Sequence, residues 1–287
     1  QEHFPSPEAA VAAMVAALES HDAEALQAQF GPESGPLLSS GDPVADRTAR
    51  DRFLERYAEQ HRLEADAPGR MTLYLGGEDW PFAIPIVEAE DGWRFDTAAG
   101  AEEILARRIG RNELNTIQVC LAYVDAQREY ASRDRNDDGI LAYAQRLASE
   151  PGTKNGLYWE AGEGEAESPL GPLFVQAQEE GYLGGNPAGT SGREPAPYHG
   201  YFYRILTAQG DSAPGGAYDY RVGDRMIGGF ALVAYPAQYG ASGIMTFVTS
   251  HEGIVYQKDL GDDTAAAVLE MDRFNPDSTW EAVEPPS

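Results

Sequence analysis

Between Thr97 and Tyr130, apolar residues return at helical spacing (Ile104, Leu105, Ile109, Leu114, Ile117, Leu121, Val124 and Tyr130), enough for about nine turns. A helix of that length fixes the layout, because the segments on its N-terminal and C-terminal sides must form separate groups of elements. Gly110 interrupts the stripe. A mid-helix glycine costs on the order of 1 kcal/mol relative to alanine, so a break or bend is expected there. The chain is accordingly expected to divide into 1–110 and 111–287. Its 287 residues are about twice a usual domain of roughly 100–150 residues, which agrees with two domains.

Ahead of the long helix, Ser6-Pro7-Glu8 starts a helix, with serine as cap, proline at the first helical place and an acid in the first turn. Val11, Met14, Val15 and Leu18 continue it. A second helix begins at Asp22 and carries Leu26 and Phe30, and a third begins at Asp42-Pro43 and carries Phe53, Leu54 and Tyr57. The period then changes. Residues 71–75, 82–87 and 93–95 read as strands, separated by Gly76-Gly77 and Glu90-Asp91-Gly92. Helices succeeded by a meander ending in Asp91-Gly92-Trp93-Arg94-Phe95-Asp96 resemble the cone-like domains of the nuclear-transport-factor-two-like (NTF2-like) superfold, in which a curved sheet wraps a helix and leaves a pocket. That likeness implies a pocket around Tyr57, Trp80 and Trp93 with Glu78 and Asp79 as its acids. The same Gly-Glu-Asp-Trp cluster also reads as a turn with one aromatic tucked inward.

Beyond the long helix, 141–148 reads as a short helix, and a long stretch rich in glycine, proline and glutamate comes next. Within it Ser168-Pro169 opens another short helix carrying Leu173, Phe174 and Ala177. Structureless loops above roughly 12–15 residues are uncommon unless they bind something or are pinned, and Tyr158, Trp159, Phe174 and Tyr182 point to pinning. The last third is β. Residues 199–208 alternate Tyr201, Tyr203 and Ile205 with Phe202, Arg204 and Leu206, as a strand buried on both faces would. Residues 217–222 and 225–227 flank the hairpin signal Gly223-Asp224. Strands at 230–235, 244–248 and 254–257 complete a meander, and Asp262-Asp263-Thr264 caps a closing helix carrying Val268, Leu269 and Met271. The expected class is α+β.

Charge narrows the partners. With 47 acidic and 21 basic residues the net charge is −26, which repels phosphate backbones and anionic lipid alike, so nucleic acid is not an expected partner. Only Lys154 and Lys258 are lysines, leaving 19 arginines among those 21, a composition that suits salty media or a GC-rich genome equally. The one cysteine, Cys120, excludes an internal disulfide, and Ile117, Leu121 and Val124 beside it make it a core residue rather than a reactive thiol. No run approaches the ~20 apolar residues of a membrane span. A start at Gln1-Glu2-His3-Phe4 without methionine suggests an exported protein after signal removal, although a trimmed chain would look the same.

Directly after the long helix comes Asp134-Arg135-Asn136-Asp137-Asp138-Gly139, the one local pattern whose spacing has a chemical reason. A calcium loop asks for side-chain oxygens at its first, third and fifth places, a glycine at the sixth and a backbone carbonyl at the seventh; Asp134, Asn136, Asp138, Gly139 and Ile140 meet those demands. The twelfth place, normally a bidentate glutamate, is Gln145, so another ligand such as Asp137 or Glu150 would have to complete the site. The alternative is an Asn-Asp-Asp-Gly turn. Other constellations are poor. The five histidines, His3, His21, His61, His199 and His251, include no pair at metal-ligand spacing, and no serine sits in a nucleophile elbow. His199, at the mouth of a strand, is either functional or hydrogen-bonded structure.

Several stretches, among them Phe95-Asp96-Thr97-Ala98-Ala99-Gly100, Arg108-Ile109-Gly110-Arg111-Asn112-Glu113, Gly156-Leu157-Tyr158-Trp159, Gly228-Gly229-Phe230-Ala231-Leu232 and Val255-Tyr256-Gln257-Lys258-Asp259-Leu260, resemble the bacterial family called domain of unknown function 2950. The resemblance implies export to the periplasm, the cell surface or beyond, and brings no catalytic residues with it. The back half is also similar to the heads of pilins and pseudopilins, without their apolar N-terminal helix. Three functions stay open: a calcium-stabilised structural protein that self-assembles as a homo-oligomer or filament, a small-ligand binder or hydrolase using a pocket in the first domain, and a glycan or envelope-polymer binder using the aromatic-rich loop.

Overall fold

The computed structural model describes residues 1–287 except 136, 137, 163, 165, 181, 183–195 and 284–287. It is a mixture of helices and antiparallel sheet, hence α+β, and divides into two compact units, Gln1–Ile109 and Gly110–Ser287. The first unit opens with α1 (Pro7–Ser20), α2 (Ala23–Phe30), a 3-10 turn (Pro32–Ser34), α3 (Gly35–Leu38) and α4 (Pro43–Glu59). Their starts obey the sequence: the side chains of Ser6, Asp22 and Asp42 each cap a first turn, and Pro7 and Pro43 take the first helical place. Strands β1 (His61–Ala67), β2 (Arg70–Leu75), β3 (Trp80–Pro81), β4 (Ile86–Ala89) and β5 (Gly92–Phe95) form one antiparallel sheet in the order β1-β2-β4-β5, with β3 on β2. Met14, Phe30, Leu73, Ile86 and Phe95 centre its core. Strand β1, with most of its residues exposed, carries no apolar alternation and so gives no strand signal in the sequence.

The long helix α5 (Thr97–Tyr130) runs 34 residues and passes through Gly110 unbroken. A single glycine penalty is small beside the packing at the two ends of the helix, where Ile104 joins the first core and Ile117, Cys120, Tyr123 and Val124 join the second. Gly100, near its start, is required: an added Cβ would lie 2.4 Å from the Ala83 carbonyl oxygen.

In the second unit come α6 (Gly171–Glu179) and strands β6 (Tyr201–Leu206), β7 (Ala208–Gln209), β8 (Tyr218–Asp219), β9 (Arg221–Val222), β10 (Arg225–Met226), β11 (Ala231–Pro236), β12 (Met245–Ser250) and β13 (Val255–Asp259). Helix α7 (Thr264–Glu270) and β14 (Glu281–Ala282) end the described chain. The main sheet has the order β14-β13-β12-β11-β6, and β9 and β10 form the expected hairpin across Gly223-Asp224. Cys120 is fully buried in this core, and burial pushes its thiol up to about 12, as for an inert core cysteine. On α7, Val268 is fully buried and Leu269 is 73% exposed.

Residues 141–148 are extended rather than helical. The Tyr143 amide donates to the Met226 carbonyl at 2.7 Å, and Ala144 is gripped on both sides by the fully buried amide of Gln127. The Gln127 Nε2 donates to the Ala144 carbonyl at 2.8 Å and to the Tyr123 hydroxyl at 3.0 Å, while its Oε1 accepts from the Ala144 amide at 2.9 Å. Those bonds replace the ones a helix would supply. Gln127→Leu strands both backbone groups of Ala144 in the core and is expected to lower the unfolding free energy by about 2–4 kcal/mol in urea, whereas Gln145→Leu, on the exposed side of the same segment, stays within about 0.5 kcal/mol.

Candidate functional site

A cleft of about 840 Å³ opens in the second unit. Val119 and Tyr123 of α5 and Leu232 of β11 form its floor, so it sits directly on the hydrophobic core. Its walls are aromatic. Tyr158 lies flat on Phe174 of α6, with centroids 3.9 Å apart and planes 3° from parallel. Tyr182 meets Tyr198 edge to face at 5.0 Å. The Arg135 guanidinium stands 5.3 Å over the Trp159 ring and the Lys154 ammonium 5.7 Å over it, so two cations flank one indole. The Arg135 Nε also donates to the Tyr130 carbonyl at the end of α5, at 3.3 Å, which fixes its stem.

Two buried polar atoms in these walls, the indole Nε1 of Trp159 and the hydroxyl of Tyr198, have no partner among the described residues. Burial, with the nearby Glu180 carboxylate adding to it, keeps the Tyr198 phenol protonated far above its ordinary range. His199 stands beside it at a positive φ of 51°, its ring 4.0 Å from that of Tyr198 and its Nε2 3.6 Å from Glu180. Of the carboxylates along the rim, Glu150 pairs with Arg146 at 3.1 Å and accepts from Asn155 at 3.0 Å. The cleft thus offers flat apolar faces and cations held over a ring.

The acidic loop is arranged differently. Asp134 accepts from the Gly139 amide at 2.7 Å, with Gly139 at φ 80°, and Asp138 accepts from the Ile140 amide at 2.9 Å. Asp138 is also ion-paired to Arg225 of β10. Ile140 is largely exposed, and the Gln145 amide donates to the Asp224 carbonyl at 2.7 Å. Asn136 and Asp137 lie outside the described residues. Among the described residues no three His, Cys, Asp or Glu side chains gather as a metal-holding group. These contacts are those of a turn in which Asp138 meets a guanidinium, and a calcium ion held there would have to take that carboxylate from Arg225.

The aromatics expected to line a pocket in the first unit are packed by neighbours. Tyr57 stacks on His61 at 3.8 Å, and Trp80 lies beneath Arg56 and Arg107 at 5.5 and 6.0 Å. The backbone of Trp93 exchanges two bonds of 2.7 Å with Phe4. Asp79 accepts from Arg62 at 3.0 Å, and Glu78 is exposed.

Fold and cleft together define an α+β protein whose second unit carries an aromatic groove over its core. More narrowly, the chain belongs to the family described as protein of unknown function (DUF2950), which matches residues 1–283. No curated protein and no solved structure matches it. No helix among the described residues is long and apolar enough to cross a membrane.

A calcium ion bound by the acidic loop would compete with Arg225 for the Asp138 carboxylate. Arg225→Ala is expected to melt about 2–4 °C below the parent in chelator and to recover that loss in calcium. A variant with one melting temperature under both conditions would show that the loop takes no calcium.

Proposed function

We propose that this chain is an exported, non-enzymatic binding protein that holds a glycan or other envelope polymer along the aromatic cleft of its second unit. The observation that carries this reading is the cleft itself, in which the Tyr158–Phe174 stack and Trp159 stand around about 840 Å³ of space. Sugar rings present apolar C–H faces and a rim of hydroxyls, the complement of aromatic planes beside hydrogen-bonding groups. The net charge of −26 disfavours strongly anionic polymers at long range. Export rests on the kind of protein that the family resemblance implies, and the likenesses to an NTF2-like cone and a pilin head belong to the same proposal.

The purified chain on a glycan array, with calorimetry on the strongest ligand, tests this. Phe174→Ala and Tyr158→Ala are each expected to weaken binding about tenfold through loss of stacking area, with melting changed little because both rings are half-buried. Absence of any glycan ligand, or unchanged affinity in both variants, overturns the proposal.

A further inference from the structure

The main sheet of the second unit ends in β6, which has one paired edge and one open edge. The Gly200 carbonyl accepts from Ala237 at 2.8 Å on the side of β11, so alternate residues of the strand turn their backbone groups to β11 and the others turn away. At both ends the outward groups are used. Tyr201 exchanges two bonds with Tyr198, at 2.8 and 3.1 Å, and the Thr207 carbonyl accepts from the Tyr220 amide at 2.9 Å. Between them, the amides and carbonyls of Tyr203 and Ile205 have no hydrogen-bond partner among the described residues. Tyr203 is only 8% exposed, and a buried backbone group left unpaired is destabilising.

Across from this edge runs the segment 142–147, held to α5 by Gln127, and the two enclose a cavity of about 830 Å³. Its lining carries four arginines, Arg146, Arg204, Arg221 and Arg225, and one carboxylate, Asp224. In a chain with 47 acidic and 21 basic residues that is a local reversal of sign. Three of these arginines are held in place: Arg146 by Glu150 at 3.1 Å, Arg225 by Asp138 and by Asp224 at 3.5 Å, and Arg204 by the carbonyls of Val268 and Met271 at the end of α7, the latter at 2.6 Å. Arg221, on the exposed hairpin, has no ion pair among the described residues.

We propose that the open edge of β6 is a strand-addition site, which takes an extended acidic peptide segment of another protein into the slot between β6 and the segment 142–147. The two unpaired residues at strand spacing select an extended backbone, as β-augmentation requires, and the arginines select carboxylates on its side chains. Two copies of a chain carrying −26 each repel one another, so a foreign segment is the occupant these charges favour.

The probe is a short labelled peptide alternating glutamate and valine, titrated against the full chain by fluorescence anisotropy. Two controls accompany it, a lysine–valine counterpart and a glutamate–valine peptide with alternate amides N-methylated. Both controls are expected to bind at least about tenfold more weakly. Ile205→Pro removes an amide that faces away from β11, a substitution an edge strand tolerates, and is expected to abolish binding with the fold retained by circular dichroism. Should that variant not fold, Arg221→Glu carries the test, with affinity for the acidic peptide expected to fall several-fold. No binding of the glutamate–valine peptide, or equal binding of either control, overturns the assignment. So does a chain that sediments as a dimer by itself and becomes a monomer in Arg221→Glu, which would give the edge to a second copy.

Discussion

Much of the second unit's shape depends on one buried amide. Gln127 lies on α5 where the helix faces the sheet, and a side chain that must satisfy both an acceptor and two donors out of contact with water constrains whatever it bonds. It bonds both backbone groups of Ala144. The chain therefore leaves α5 at Tyr130, turns through the acidic loop and returns within fourteen residues to a fixed point beside the same helix. Gly139, in the left-handed region, serves that return. The return also makes this segment a wall: Leu147 lines the aromatic cleft, and 142–147 lines the slot beside β6.

The second recurring device is arginine used as a fork toward carbonyl oxygens. Arg108 donates to the carbonyls of Pro36 and Leu37 at 2.7 and 2.6 Å, Arg128 to His251 at 3.2 Å, and Arg204 to the last turn of α7. Helix ends and loops leave such oxygens without backbone partners, and a planar guanidinium serves two at once where an ammonium acts as a point charge. The preference for 19 arginines over two lysines thus has a structural use in this fold, whatever set it in the genome. Where a carboxylate takes the guanidinium instead, as Asp138 takes Arg225, the same device fastens a loop to a hairpin.

Elements marked by local chemistry were legible in the sequence, and elements defined by distant partners were not. Ser6, Asp22 and Asp42 announced helix starts because capping is settled within one turn. Gly223-Asp224 announced its hairpin, and Cys120 its place in the core, for the same reason. The segment 141–148 misled because its apolar residues, Leu141, Ala144 and Leu147, fall at helical spacing; its actual partners, Gln127 and Met226, are far along the chain. Glu113 of α5 accepts from the amides of Ile244 and Met245 at 3.0 Å each, partners 131 and 132 residues further along the chain. At the cleft, Tyr158, Trp159, Phe174 and Tyr182 stood out as aromatics in an otherwise polar stretch. Arg135 and Tyr198 did not, because an arginine in an acidic loop and a tyrosine beside a histidine carry no local sign of sharing a wall.

The two edges of the main sheet are managed in opposite ways. On one side β14 is a strand of two exposed residues, and an edge that short offers little for another chain to pair with. Trp280 beside it lies under the Lys258 ammonium at 5.9 Å, which covers the neighbouring strand. On the other side β6 has six residues, is bonded at its two ends, and is open at Tyr203 and Ile205. An edge left wholly unguarded would invite indiscriminate pairing. Here the opposing wall, fixed by Gln127, and the arginines along it restrict access to chains of the right width and charge, so the same constraint that shapes the unit also selects what can complete its sheet.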